Sequence, residues 1–277
     1  MKLKIKPIYF SISVFLVALF FSYEAVSSQH LSYHFSFVGY GGTFKYHDLK
    51  IFGIPIYWFM LICGFIITFF VSWNRRKEYQ LSNTASIICP ILFIVTAYIG
   101  AKLLFVLENY EAYRNQGLEL DGVSLFGAIF IILLTIPLYS LLAGKSILAM
   151  YDYFTPLGII LLSCVRIGCF FNGCCGAYTV WNETTPIILP VQLMEVVCDL
   201  VILEVCLAIE KKYPYKGYMY PVFMFLYGIC RFLLEFLRET PKDTFNLSHG
   251  QIFSLIAVAL SIVLLAITKN VKTKLVQ

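Results

Sequence analysis

The chain has 277 residues, 60% of them hydrophobic, 17% aromatic and only 13% charged, with a mean hydropathy of +0.80 and a formal net charge of +5. About a quarter of a soluble domain is charged, and one water-facing core cannot bury this much apolar side chain; a soluble globular enzyme, a disordered chain and a disulfide-stapled secreted domain are excluded. The apolar runs are continuous rather than alternating, which argues against a barrel and leaves an all-α, polytopic helical membrane protein.

About 20 mostly apolar residues cross a bilayer as helix. The first such run, 7–26, follows Lys2, Lys4 and Lys6 and ends at Ala25-Val26-Ser27, a pattern shared with signal peptides. The run is longer than a usual signal core and carries Glu24, which favours a retained extra N-terminal helix. Residues 27–50 are polar and aromatic and contain His30, His34 and His47. Seven further spans are expected at 51–73, 86–107, 124–143, 154–172, 189–209, 217–237 and 249–268. The organisation read from this is an N-terminal helix and external loop, 1–50, ahead of one seven-helix membrane domain, 51–277. There is no internal repeat, and no interrupted helix pair of the kind transporters use.

Basic residues are distributed unevenly. Segments on one side carry Lys2, Lys4, Lys6, Arg75, Arg76, Lys77, Lys145, Lys211, Lys212, Lys216, Lys269, Lys272 and Lys274. The other side carries Lys45, Lys50, Arg114, Arg238 and Lys242. The positive-inside rule puts the first set in the cytoplasm. The positive charge thus serves topology, and no nucleic-acid partner is implied.

Lys102, Arg166 and Arg231 remain, all within spans, where a charge costs a few kcal/mol and is the first place to seek function. Gln192, Glu195 and Asp199 share one face of the sixth core-plus-extra span, at i, i+3 and i+7; Tyr227, Arg231 and Glu235 share a face of the seventh, at i, i+4 and i+8. These stripes converge at one depth, toward the outer leaflet. One reading is a structural ion-pair network, for example Arg231 with Glu195 or Glu235. The other is a lipid-phosphate site, because guanidinium forks pair bidentately with phosphate and stay charged when desolvated.

The most distinctive segment is 166–177, with Arg166, Cys169, Asn172, Gly173, Cys174 and Cys175. It lacks a C-x-x-C pair and any nearby histidine, so neither a metal nor a cofactor is expected. Most of the nine cysteines lie in apolar runs and read as small hydrophobes.

In order along 51–268, these segments resemble the prolipoprotein diacylglyceryl transferase family. Residues 97–103 (Ala-Tyr-Ile-Gly-Ala-Lys-Leu) are similar to its glycine-basic segment, and 121–127 (Asp-Gly-Val-Ser-Leu-Phe-Gly) to its Gly-rich loop. Residues 166–173 (Arg-Ile-Gly-Cys-Phe-Phe-Asn-Gly) resemble its signature Arg-x-Gly-Asn-x-x-Asn-Gly. Residues 190–195 (Pro-Val-Gln-Leu-Met-Glu), 227–238 (beginning Tyr-Gly-Ile-Cys-Arg-Phe) and 247–254 (beginning Leu-Ser-His-Gly-Gln) resemble three further blocks.

The resemblance implies a transferase of the bacterial inner (plasma) membrane that moves diacylglyceryl from phosphatidylglycerol to the lipobox cysteine of a prolipoprotein signal peptide. Its active site would face the outer leaflet. It implies catalytic roles for Arg166, Arg231, Glu235 and Tyr227, and substrate binding by Lys102, Asn172, Gly173, Gln192 and Glu195. The chain departs from the family at Phe126, where the Gly-rich loop has a histidine, and at Phe59, Cys169, Cys174 and Ala177. The base is therefore open: Glu195, Glu235, Asp199, His249 or self-ionisation of the acceptor thiol. A non-catalytic lipid- or lipoprotein-binding paralogue is the competing expectation.

Overall fold

The computed structural model describes residues 50–111, 114, 122–172, 177–179, 187–189, 191–238, 240, 242 and 245–275. The expected N-terminal span 7–26 and the polar segment up to residue 49 lie outside the described residues, as do Asp121, Gly173, Cys174 and Cys175.

Seven helices carry the described fold: α1 (Ile56–Arg75), α2 (Asn83–Glu108), α3 (Leu125–Ala143), α4 (Ile147–Asn172), α5 (Val191–Lys212), α6 (Met219–Leu234) and α7 (His249–Leu275). Two small antiparallel hairpins join them. In the first, β1 (Lys50–Ile51) pairs with β2 (Ile54–Pro55), Lys50 facing Pro55. In the second, β3 (Ala177–Thr179) pairs with β4 (Ile187–Leu189), Ala177 facing Leu189.

Each expected core span corresponds to one helix, with two corrections at the starts. The span expected from residue 51 begins at Ile56, because Phe52 and Gly53 both take positive φ (51° and 77°) and close the first hairpin, and Pro55 then occupies the helix N-cap. The span expected from 154 begins at Ile147, so that Asp152 and Tyr153 lie inside helix.

Helix α4 is the axis of the bundle. Its apolar window is 83% buried, against 22–50% for the other five helices long and apolar enough to span a membrane. It packs chiefly on α1 and α5, and also touches α3 and α6; α2 packs on α3, and α7 on α6. The α2–α3 crossing is close because Gly100 and Gly127 face each other. A Cβ on Gly100 would lie 2.5 Å from the Gly127 carbonyl oxygen, and backbone cannot rotate aside. Gly100→Ala is accordingly expected to destabilise the protein by about 1–3 kcal/mol, read as a lowered melting temperature in detergent.

Two polar clusters occupy opposite ends of the bundle. At the end bearing Arg75, Lys145 and Lys211, Arg75 is bidentate to Glu210, with Nη1 donating at 3.1 Å and Nη2 at 2.6 Å. Nη2 also donates to the Asp152 carbonyl at 3.1 Å. The Tyr79 hydroxyl donates to Glu210 as well; burial pushes that phenol well above its ordinary pKa, so it stays a donor. The Asp152 carboxylate accepts from the Gly217 and Met219 amides at 2.8 and 3.0 Å, anchoring the α5–α6 turn. This cluster ties α1, α4, α5 and the start of α6 together.

Candidate functional site

The second cluster lies at the other end of the bundle, where α4, α5 and α6 meet. Arg166 comes from α4, Glu195 from α5 and Arg231 from α6, and all three are buried. Glu195 bridges the two guanidiniums: one carboxylate oxygen contacts Arg166 Nε and the other Arg231 Nη1. Arg231 Nη2 reaches Glu235 one turn further on, at 2.8 Å. Arg231 thus holds two carboxylates with two different nitrogens, a use of the planar fork that an ammonium cannot copy.

Glu235 opens a 3₁₀ turn, Glu235–Leu237, at the end of α6. It gathers further partners: Arg238 Nη1 at 3.3 Å, Thr240 Oγ1 donating at 3.0 Å and Ser248 Oγ donating at 2.9 Å. Ser248 also caps α7. Its hydroxyl accepts from the Gln251 amide at 3.2 Å, while Gln251 Oε1 accepts from the Ser248 amide at 3.0 Å, a reciprocal capping box. Gly250 allows this approach, since a Cβ there would sit 2.9 Å from the Glu235 carboxyl. Arg231, Glu235 and the first turn of α7 are one connected unit.

Asp199 lies one turn along α5 from Glu195 and is wholly buried, with neither carboxylate oxygen hydrogen-bonded. Tyr227, one turn before Arg231, is buried with its hydroxyl also unmatched, within electrostatic reach of Arg166, Glu195, Arg231 and Asp199. Buried polar atoms are ordinarily paired, so these oxygens are the exceptions in this part of the bundle. Gln192 is buried on the same α5 face.

The structure therefore brings Arg166, Arg231, Glu195, Glu235, Tyr227, Gln192 and Asp199 to one place. Lys102 stands on α2, with Nζ donating to the Gly122 carbonyl at 3.4 Å and lying 5.4 Å from the Phe105 ring centre. Asn172 ends α4, but its side chain lies outside the described residues, as does Gly173. Arg238, Thr240 and Ser248 were not expected in the cluster. The Ser-x-x-Gln pattern at 248–251 was the available signal for the last of them.

Phe126 is buried at the start of α3 and belongs to an aromatic cluster, with ring centres 5.9 Å from Phe130, 6.0 Å from Tyr227 and 5.9 Å from Phe253. Among the described residues no group of three or more His, Cys, Asp or Glu side chains is arranged to hold a metal ion.

A multi-pass helical bundle with a buried arginine–carboxylate centre shared by three helices defines the class, a polytopic helical membrane protein with charged groups paired inside its bundle. The chain belongs to the prolipoprotein diacylglyceryl transferase family, whose profile matches residues 47–267. It is similar to the phosphatidylglycerol–prolipoprotein diacylglyceryl transferase of Dehalococcoides mccartyi, at 27% identity over 224 residues, covering 74% of this chain and 86% of that one. Proteins of the same name from Clostridium tetani and Clostridium novyi are similar at 25% and 27% identity, covering 77% and 81% of this chain and 93% and 96% of theirs.

Proposed function

We propose that this protein transfers the diacylglyceryl group of phosphatidylglycerol to the thiol of a lipobox cysteine in a prolipoprotein signal peptide. The observation that carries the reading is the pair of buried arginines held on either side of Glu195. The attacking sulfur forms a bond to the glycerol carbon of the diacylglyceryl moiety. The bond from that carbon to the phosphate oxygen breaks, and its electron pair leaves with glycerol phosphate. Arg166 and Arg231 bind the phosphate and offset the charge developing on the departing oxygen. Glu195 and Glu235 hold the two guanidiniums in place before substrate arrives, so little reorganisation is needed during reaction. Tyr227 and Asp199 supply the unmatched oxygens that meet the polar headgroup. Lys102, Asn172, Gly173 and Gln192 complete the binding surface.

The basic end faces the cytoplasm and the arginine centre lies toward the outer leaflet of the bacterial inner membrane, where exported prolipoproteins and phosphatidylglycerol meet. Lys77→Cys is expected to resist a membrane-impermeant maleimide in intact cells and to react after permeabilisation; labelling without permeabilisation overturns this orientation. The activity itself is tested with purified protein, phosphatidylglycerol vesicles and a synthetic lipobox peptide. Thioether product with equimolar glycerol phosphate is the expected result. Phosphatidylglycerol binding without either product, from folded protein, favours the non-catalytic paralogue.

A further inference from the structure

The transfer requires a group to accept the S–H proton, and the ion-pair centre is poorly suited to supply it. Glu195 is engaged by both arginines, and Glu235 by Arg231, Arg238, Thr240 and Ser248. A carboxylate so paired is a weak base. Asp199 is wholly buried one turn from Glu195, on the face that meets the headgroup in the reading above.

A different wall of the bundle offers what is missing. Helices α2 and α7 are not packing neighbours among the described residues, and between them lies a cleft of about 260 Å³ lined by Leu104, Leu107, Glu108, His249 and Phe253. Its walls are apolar except for the Glu108 carboxyl and the His249 imidazole, which share this one space. His249 is the only histidine among the described residues. It is the first residue of α7, fixed between Ser248, which bonds Glu235, and Gly250, which touches it. The imidazole is thus joined to Arg231 through one carboxylate and one helix cap. Behind the cleft, packed rings connect His249 to the centre: Phe253 (6.5 Å between ring centres), then Phe126 (5.9 Å) and Tyr227 (6.0 Å).

We propose that His249, which shares the cleft between α2 and α7 with Glu108, is the base that takes the proton of the acceptor thiol. The inference rests on the transferase reading above and adds the residue and the entry path. The cleft receives an apolar peptide segment carrying a cysteine. The thiol proton passes to the neutral imidazole as sulfur bonds to the glycerol carbon, and the electron pair of the breaking C–O bond leaves on glycerol phosphate at the arginines. Imidazole suits this task because its protonation state changes near neutral pH. The charged groups near it are Glu108 of α2, which lines the same cleft, and Glu235, which is bonded to the adjacent Ser248 and to Arg238. Glu108 stabilises the imidazolium and acts as a positioning residue.

The test uses full-length protein in phosphatidylglycerol vesicles with two lipobox peptides whose cysteine thiols differ in pKa. His249→Gln is expected to lower turnover about 100-fold or more with the ordinary thiol, to lose less with the more acidic thiol, and to regain activity with added imidazole. Its phosphatidylglycerol binding and melting temperature should stay near those of the unaltered protein. Glu108→Gln should lower turnover less and shift the pH–rate profile. If His249→Gln is as active as the unaltered protein, or loses equally with both thiols and ignores imidazole, the proposal is overturned while the transferase reading stands. Absence of turnover by the unaltered protein overturns both.

Discussion

Glu195→Ala is expected to lower stability by about 3–5 kcal/mol, the range found when one partner of a buried ion pair is removed. The residue is 3% exposed and is shared by Arg166 and Arg231. Without it, two guanidiniums from α4 and α6 confront each other in a water-poor interior. The loss should be read as a lowered melting temperature in detergent and reduced accumulation in the membrane. A companion variant separates glue from chemistry. Replacing the two arginines and Glu195 with Met, Leu and Met at 166, 195 and 231 removes the bridge, while Glu235 keeps Arg238, Thr240 and Ser248. Apolar substitution of a whole buried ion-pair group is often neutral or stabilising, so this variant should regain most of the lost stability and show no transfer. A Glu195→Ala protein as stable as the unaltered one would mean that the bridge does not bind the three helices.

Arg231→Lys is expected to reduce kcat/KM by roughly 100- to 1,000-fold, the scale of losing one organised donor to a developing oxyanion. The substitution keeps the positive charge, and global electrostatics are unchanged. What disappears is the fork: Nη1 to Glu195 and Nη2 to Glu235 at 2.8 Å are separate bonds fixed in one plane. A single ammonium can serve one carboxylate well or both poorly. The Glu235–Ser248 bond of 2.9 Å then loses its partner on the other side, and the start of α7 loosens. Phosphatidylglycerol affinity should fall less than turnover. Turnover like that of the unaltered protein would remove the clamp from the mechanism.

Much of this was legible in the chain itself. Six of the seven core helices follow from apolar length alone. The face shared by Gln192, Glu195 and Asp199 follows from spacing, and so does the stacking of Tyr227, Arg231 and Glu235. Of the two readings that spacing left open, the pairing of Arg231 with both Glu195 and Glu235 gives the ion-pair network a physical form. The proposed phosphate role uses the same residues.

The cluster of Arg75, Tyr79, Asp152 and Glu210 escaped notice because polar residues at a span's end look the same whether they face headgroups or one another. Only the packing of α1 against α4, with Arg75 reaching Glu210 on α5, distinguishes the two cases. The first hairpin was hidden because Ile51, Phe52 and Ile54 continue the apolar run of the following helix, and hydropathy carries no information about φ. The role of Phe126 needed three dimensions: its neighbours Phe130, Tyr227 and Phe253 come from three helices.

Helix α5 has a consequence for biogenesis. It is long enough to cross a bilayer but is absent from the six helices apolar enough to do so by composition. Glu195 and Glu210, separated by fifteen residues or about 22 Å of helix rise, are both paired with arginines on other helices. Between them lie Asp199 and Glu204. A free helix with these groups is a poor substrate for lateral release from the translocon, since each charge near its centre opposes partitioning by about 3 kcal/mol. Its partners are made at different times: α1 and α4, with Arg75 and Arg166, precede it, and α6, with Arg231, follows. Membrane integration of α5 is therefore an act of assembly, begun against helices already present and completed only when the next one emerges.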